Sequence, residues 1–235
     1  MIEDLNQKNV EKKNLNFFDK NTKYQNNIKK IDTYKKIYIE ISKKLRGTKR
    51  LLDIGHGGVF DYNTKLIKQI TGLDLTYMNY KNLPKNVKLV NGSVLNIPKY
   101  LKNYDVVLIN MLLHHLTGKN VNENYRNLTK SLKQIKKTLK TNGEFIIVES
   151  CVPDWFNKLE KLFYKIVSLI LLKFINHPPV FQYTAQQISE ELKKQGFKDI
   201  KYKKIKQGRF ILQFGFKFPT FLTPVQTVIF TSRSG

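Results

Sequence analysis

Short unbroken apolar runs and longer segments with helical spacing take turns along the chain. The apolar runs are RLLDIG, TGLDLT, VKLVNGSV, YDVVLIN and GEFIIVES. Each is continuous, not alternating, as expected of a strand covered on both faces of a parallel sheet. Residues 31–45 (IDTYKKIYIEISKKL) carry apolar side chains three and four apart with lysines between, which predicts an amphipathic helix. The same spacing predicts a helix over 122–139, with Gly143 behind it, and a shorter one over 63–70 with Asn63 as its cap. Strands that alternate with helices and are joined by right-handed crossovers form a doubly wound α/β sheet.

The pattern changes after residue 150. Residues 152–175 (VPDWFNKLEKLFYKIVSLILLKFI) read as a long apolar helix or helix pair, ended by the prolines of NHPPV. Residues 184–197 read as a capped helix with Gly196 as its stop. KDIKYKKI and VQTVIFTS then read as two strands joined by an aromatic-rich connection.

Composition narrows the class. A chain of 235 residues that is 41% hydrophobic and 26% charged can bury a real core. One cysteine, Cys151, rules out an intrachain disulfide, which predicts a reducing, cytoplasmic setting. The N-terminal run lacks the apolar centre of a secretory signal, and no run of about 18 apolar residues exists to span a bilayer. The formal charge of +24 invites a nucleic-acid reading. Of 42 basic residues, however, 5 are arginine and 37 are lysine, spread along the whole chain. Nucleic-acid interfaces favour arginine for its bidentate and stacking contacts. Lysine, asparagine, isoleucine and tyrosine share adenine- and thymine-rich codons, so a solvated basic surface is the simpler reading.

Candidate chemistry begins at LLDIGHGGVFDY. Three glycines, Gly55, Gly57 and Gly58, follow a strand that ends at Asp53. Glycines behind the first strand of a doubly wound sheet free φ for a tight turn and let a ligand approach the backbone. A dinucleotide fingerprint, G-x-G-x-x-G, needs a third glycine where Phe60 stands.

The stretch instead resembles motif I of class I S-adenosylmethionine-dependent methyltransferases, D/E-x-G-x-G-x-G. Asp53, Gly55 and Gly57 match, and Val59 replaces the last glycine beside Gly58. The resemblance runs over about 40–150 in order and spacing, with the family's antiparallel end at 184–232. It implies a mostly parallel, seven-stranded, Rossmann-like sheet with an antiparallel C-terminal strand and a helical insertion after strand five. It also implies one domain: a helical cap over 1–45, a cofactor-binding core over 46–150, an insertion or lid over 152–183, and a closing helix and strands over 184–235. Asp74, followed by Leu75, stands where the family's acid holds the ribose hydroxyls of S-adenosyl-L-methionine, and a carboxylate can accept from both hydroxyls of a cis-diol. Ser93 and Val94 stand in NGSVLNIP, where the family borders the adenine, with Ser93 in place of the usual acid. Asn110 closes strand four near the methionine moiety. LKKTLKTNGEFIIVE resembles the family's run into strand five, with Thr141 and Asn142 replacing its Pro and first Gly. DIGHGGVF, VPDWF, HPPVFQYT and GRFILQFGFKFPTFLTP further resemble a bacterial group tied to glycan and small-molecule chemistry.

Methyl transfer from a sulfonium is an in-line displacement, so alignment supplies roughly 7–11 kcal/mol of the barrier reduction. A base is needed when the acceptor is a poor nucleophile such as a hydroxyl. His115 and His114 after strand four, and Glu149 at the end of strand five, are the candidates. His177 and Tyr183 flank the HPPVFQY turn as candidate acceptor-pocket residues. Cys151 reads as a packed small residue, and the four histidines and one cysteine show no spacing that would hold a metal. Residues 157–176 could pack on the sheet, close over an apolar acceptor, or rest on anionic lipid with Lys158, Lys161, Lys165 and Lys173 along one side. The leading reading is O-methylation of a small-molecule, glycan-precursor or lipid-linked acceptor, and the lipid-resting reading of 157–176 would add peripheral contact at the inner membrane surface. A nucleic-acid methyltransferase is the alternative, although NMLL stands where amino-directed base methylases carry (N/D)-P-P-(Y/F). A non-catalytic binding protein of the same fold is the other.

Overall fold

The structure is a computed structural model. It describes residues 32–75, 83–175, 178–205 and 224–235, together with Lys12 and the short pieces 210–211 and 217–218. Most of the 1–45 cap, most of the aromatic-rich connection and His177 lie outside the described residues.

Helix α1 (Asp32–Leu45) leads into β1 (Arg50–Ile54). The strands β2 (Gln69–Asp74), β3 (Val87–Asn91), β4 (Tyr104–Asn110) and β5 (Leu139–Cys151) follow. Helix α2 (Val121–Thr138) lies between β4 and β5. Helix α3 (Asp154–Ile170), with a π-helical turn (Leu171–Ile175), and helix α4 (Ala185–Lys194) separate β5 from β6 (Phe197–Lys204). The short strands β7 (Phe210–Ile211) and β8 (Lys217–Phe218) pair with each other, and β9 (Gln226–Ser234) closes the chain.

The main sheet has seven strands in the order β3-β2-β1-β4-β5-β9-β6. β1 to β5 pair in parallel, and β9 runs antiparallel to both of its neighbours. This is the expected doubly wound sheet with one antiparallel strand near its C-terminal edge.

Both faces of the sheet are covered, which explains the unbroken apolar runs. In β5, Phe145 and Ile147 face one layer while Ile146 and Val148 face the other, and all four are fully buried. The first layer holds Leu128, Leu132 and Ile135 of α2 and Ile188 and Leu192 of α4. The second holds Ile37, Ile41 and Leu45 of α1, one helical face at four-residue spacing. Each such side chain contributes about 1.5–3 kcal/mol by leaving water. Caps fix the helix starts: Asn120 accepts from Glu123 N, and Thr184 forms a capping box with Gln187.

The helix expected over 63–70 is not formed. Asn63 does cap, accepting from Lys65 N, but what it caps is a single 3₁₀ turn, Thr64–Leu66. β2 begins early instead, with Gln69 and Ile70 paired to Arg50 and Leu51. Ile67 and Ile70 are β-branched and buried, and the sheet register claims them before a second helical turn can form.

Helix α3 does not lie flat on the sheet. Among its residues only Asn157 and Tyr164 are buried, on one narrow line.

Candidate active site

The order of the sheet reverses between β1 and β4, so the carboxyl ends of these two strands form the switch point where doubly wound sheets bind ligands. Two turns meet there. Behind β1, Gly55, Gly57 and Gly58 all have positive φ, at 73°, 53° and 84°. Behind β4, Met111 has φ 54°, a strained conformation for a side chain of its size. The turns touch, because a Cβ added to Gly55 would come within 2.8 Å of Leu112 Cδ1. Nothing lies within 4 Å of a Cβ added to Gly57, so the backbone there faces open space.

Asp74 stands at the end of β2, beside the glycine turn. Its Oδ2 accepts from Gly57 N at 2.8 Å. His56 stacks on Phe60, and its Nδ1 accepts from Gly58 N at 3.1 Å. Its ring sits so close to Gly72 that a Cβ there would come within 2.8 Å of His56 Nε2. Burial lowers the His56 pKa, and the Asp74 charge works in the other direction.

Asp53 lies inside. It is 2% exposed, and its Oδ2 accepts from the Tyr62 hydroxyl at 2.8 Å. Burial pushes its carboxyl up to about 8, with the Tyr62 hydrogen bond opposing and the Asp61 and Asp74 charges adding. The side chain braces the turn from behind through Tyr62. Asn110 closes β4 and donates from Nδ2 to Asp61 Oδ2 at 2.8 Å. Asn110 Oδ1 is buried and has no hydrogen-bond partner among the described residues, which leaves an acceptor for a ligand N–H.

At the adenine side, Ser93 Oγ accepts from Leu95 N at 3.2 Å, and Val94 is in the core. Val94 can thus offer a ligand only its backbone. The Leu75 carbonyl accepts from Asn91 Nδ2 at 2.9 Å, another local brace.

The second half of the site is at the ends of β4 and β5. Glu149 is fully buried, and three N–H groups reach it. Leu113 N donates to Oε2 at 2.7 Å, Ser150 N donates to Oε1 at 2.7 Å, and His114 Nδ1 is 2.6 Å from Oε1. With Glu149 as the acceptor of this contact, Nδ1 carries the proton and Nε2 the lone pair. His115 is also buried, and its ring packs on that of His114 with centroids 4.0 Å apart.

Helix α3 borders this cluster. Both carboxylate oxygens of Glu160 accept from Gln182 N at 3.1 Å, and Gln182 Nε2 donates to Ser150 Oγ at 3.3 Å. Burial pushes the Glu160 carboxyl up to about 7, with Gln182 N–H and His114 opposing. Tyr183 is 1% exposed, and its hydroxyl donates to the Asn124 carbonyl at 2.9 Å. Its side chain is packed in the core cluster. Cys151 is buried, as expected, and burial raises its thiol pKa. No cluster of metal-ligating side chains occurs among the described residues.

Tyr62, Asp61, His56, Asn91, Glu160 and Gln182 had no motif to reveal them. His56 alone carries a local signal, since it sits between two glycines of the turn.

A glycine turn, an acid on the neighbouring strand and a strained turn across the switch point define a nucleotide-type ligand site at the carboxyl edge of a doubly wound sheet. Residues 52–147 match the family model for a methyltransferase domain. The chain is 25% identical over 172 residues to demethylmenaquinone methyltransferase of Lactobacillus johnsonii. That match covers 67% of this chain and 64% of the relative, so it spans less than two thirds of the relative's length. Among solved structures, the [4+2]-cyclase SpnF superposes with a TM-score of 0.58 at 15% identity, covering 84% of this chain and 79% of that one. A SAM-dependent methyltransferase from Methanosarcina mazei superposes with a TM-score of 0.54 at 13% identity, covering 83% and 97%. At such identities these two likenesses speak for the fold alone. Residues 52–147 thus form a methyltransferase domain, and S-adenosyl-L-methionine is the cofactor of that domain.

Proposed function

We propose that this methyltransferase methylates a hydroxyl group of an apolar or lipid-linked small molecule, with His114 as the base. The Glu149–His114 contact of 2.6 Å carries the reading. Gly55 to Gly58, Asp74 and Asn110 would hold the cofactor, which supplies an electrophilic methyl group on sulfur. His114 Nε2 would take the acceptor proton as the cofactor's methyl group passed from sulfur to the acceptor oxygen, leaving the neutral thioether as the second product. Glu149 holds the ring in the required tautomer and offsets the imidazolium charge. The geometry favours His114 over His115, because Glu149 orients His114 directly. The curated relative is named for demethylmenaquinone, which supports a small apolar acceptor over a nucleic acid.

The test is release of S-adenosylhomocysteine in the presence of a panel of phenols, hydroquinones and sugar alcohols. Acceptor-dependent release by the wild type, lost in His114→Ala while calorimetry shows unchanged cofactor binding, supports the reading. Equal turnover by His114→Ala removes the base, and absence of cofactor binding in the wild type favours a non-catalytic relative.

A further inference from the structure

Helix α3 exposes its apolar side. Leu162 is 74% exposed, Trp155 60% and Ile166 57%, and Leu159, Leu169 and Ile170 lie on the same side. Asn157 and Tyr164 anchor the opposite side: Asn157 Nδ2 donates to the Gln182 carbonyl at 2.7 Å, and the Tyr164 hydroxyl donates to the Gly118 carbonyl at 3.0 Å. Rotation of the helix to hide the apolar side would break both anchors. The charges are one-sided as well. Lys158 and Lys165 are exposed along one flank, while Glu160 is turned inward onto Gln182. Asp154, in the first turn, is the other acid on the helix.

We propose that α3 is a docking element for an anionic lipid surface, lying in the plane of the interface with Trp155, Leu162 and Ile166 immersed and Lys158 and Lys165 on lipid phosphates. Charge complementarity favours this occupant over a second copy. Two such helices face to face would oppose their lysine flanks on chains that each carry a formal charge of +24. The contact is lateral, since no helix among the described residues is long and apolar enough to cross a membrane. The inner side of the same helix carries Glu160 beside Gln182 and Ser150, next to the Glu149–His114 pair. Docking therefore places the acceptor end of the site at the lipid boundary. This last step, that the acceptor arrives from the bilayer, rests on the function proposed above; the docking itself does not.

Trp155 is the single tryptophan of the chain, so its fluorescence reports on this face alone. The full chain is titrated with vesicles of phosphatidylglycerol and phosphatidylcholine in equal parts, and with phosphatidylcholine alone. A blue shift and co-sedimentation with the anionic vesicles, weakened by added salt, are expected. Leu162→Glu/Ile166→Glu should weaken binding by more than about tenfold, since two immersed aliphatic side chains are replaced by charges. Lys158→Glu/Lys165→Glu tests the flank separately, and the thermal midpoint and cofactor binding of both variants should match the wild type. Absence of anionic-vesicle binding overturns the proposal, as does binding that Leu162→Glu/Ile166→Glu leaves intact. A concentration-dependent dimer that shields Trp155 and dissolves in that variant would assign the face to a second copy. Vesicle binding needs no acceptor, so methyl transfer can fail while docking stands, and the reverse.

Discussion

Two carboxyl groups sit buried at strand ends within one sheet, and they are wired differently. Asp53, at the end of β1, has a tyrosine hydroxyl as its hydrogen-bond donor, and burial pushes it up to about 8. Glu149, at the end of β5, gathers two backbone N–H groups and an imidazole nitrogen within 2.7 Å. The depth of burial is similar, yet one group holds a tyrosine hydroxyl beside a turn and the other holds the imidazole that the proposed function makes a base. Donor number, more than burial, distinguishes the two carboxyl groups.

The sharpest test of this contrast is kinetic. His114→Ala should lower kcat by about 10²–10⁴-fold, the usual contribution of a positioned base. Glu149→Gln should lower it by about 10²-fold by loosening the tautomer, with a shifted pH–rate profile. Asp53→Asn should leave the pH–rate profile unmoved, and a matching shift in both variants would break the distinction.

Next in size is the glycine turn that Asp53 braces. Gly55→Ala combines a φ of 73° with a Cβ 2.8 Å from Leu112. It should cost roughly 1–2 kcal/mol for the left-handed conformation alone, more with the contact, read as a lower thermal midpoint. Gly57→Ala, with open space before it, should cost about 1 kcal/mol. Asp74→Ala removes the acceptor of Gly57 N, and calorimetry should show S-adenosylmethionine binding weakened by about tenfold.

The same carboxyl sets a pH dependence of stability. The folded Asp53 carboxyl stands near 8, against an ordinary value of 3.8. Between these values the folded chain holds a proton that the unfolded chain releases. Stability is therefore greatest below the lower value and declines as pH rises toward the upper one. Asp53→Asn should flatten that decline, seen as a difference of about ten degrees or more between the wild-type and variant midpoints across the window.

The framework of this molecule was legible because burial on both faces leaves an unbroken apolar signature. YDVVLIN became β4 residue for residue, and the helix at 31–45 lost only its first residue to the region outside the description. The error at 63–70 has the same origin. Leu66, Ile67 and Ile70 fit helical spacing and buried-strand composition equally, and the pairing with β1 decided between them. Of the site, the motif positions were visible, whereas Tyr62 on Asp53 and Asp61 on Asn110 join residues of differing chain distance that no local pattern links. The sequence left the exposure of α3 open among three readings: its periodicity is strong, but the side chosen for burial carries Asn157 and Tyr164 in place of the apolar residues.

One small contact has a wider reach. With no helix between β1 and β2, the loop behind the glycine turn is moored by a side chain from another element: Ser42 Oγ of α1 accepts from Asn63 N at 2.8 Å. The entry helix and the loop that follows the glycine turn are thus tied together. Hydrogen exchange at Gly57 and Gly58 should quicken in Ser42→Ala, so the segment ahead of the sheet would act as a tensioner for cofactor capture.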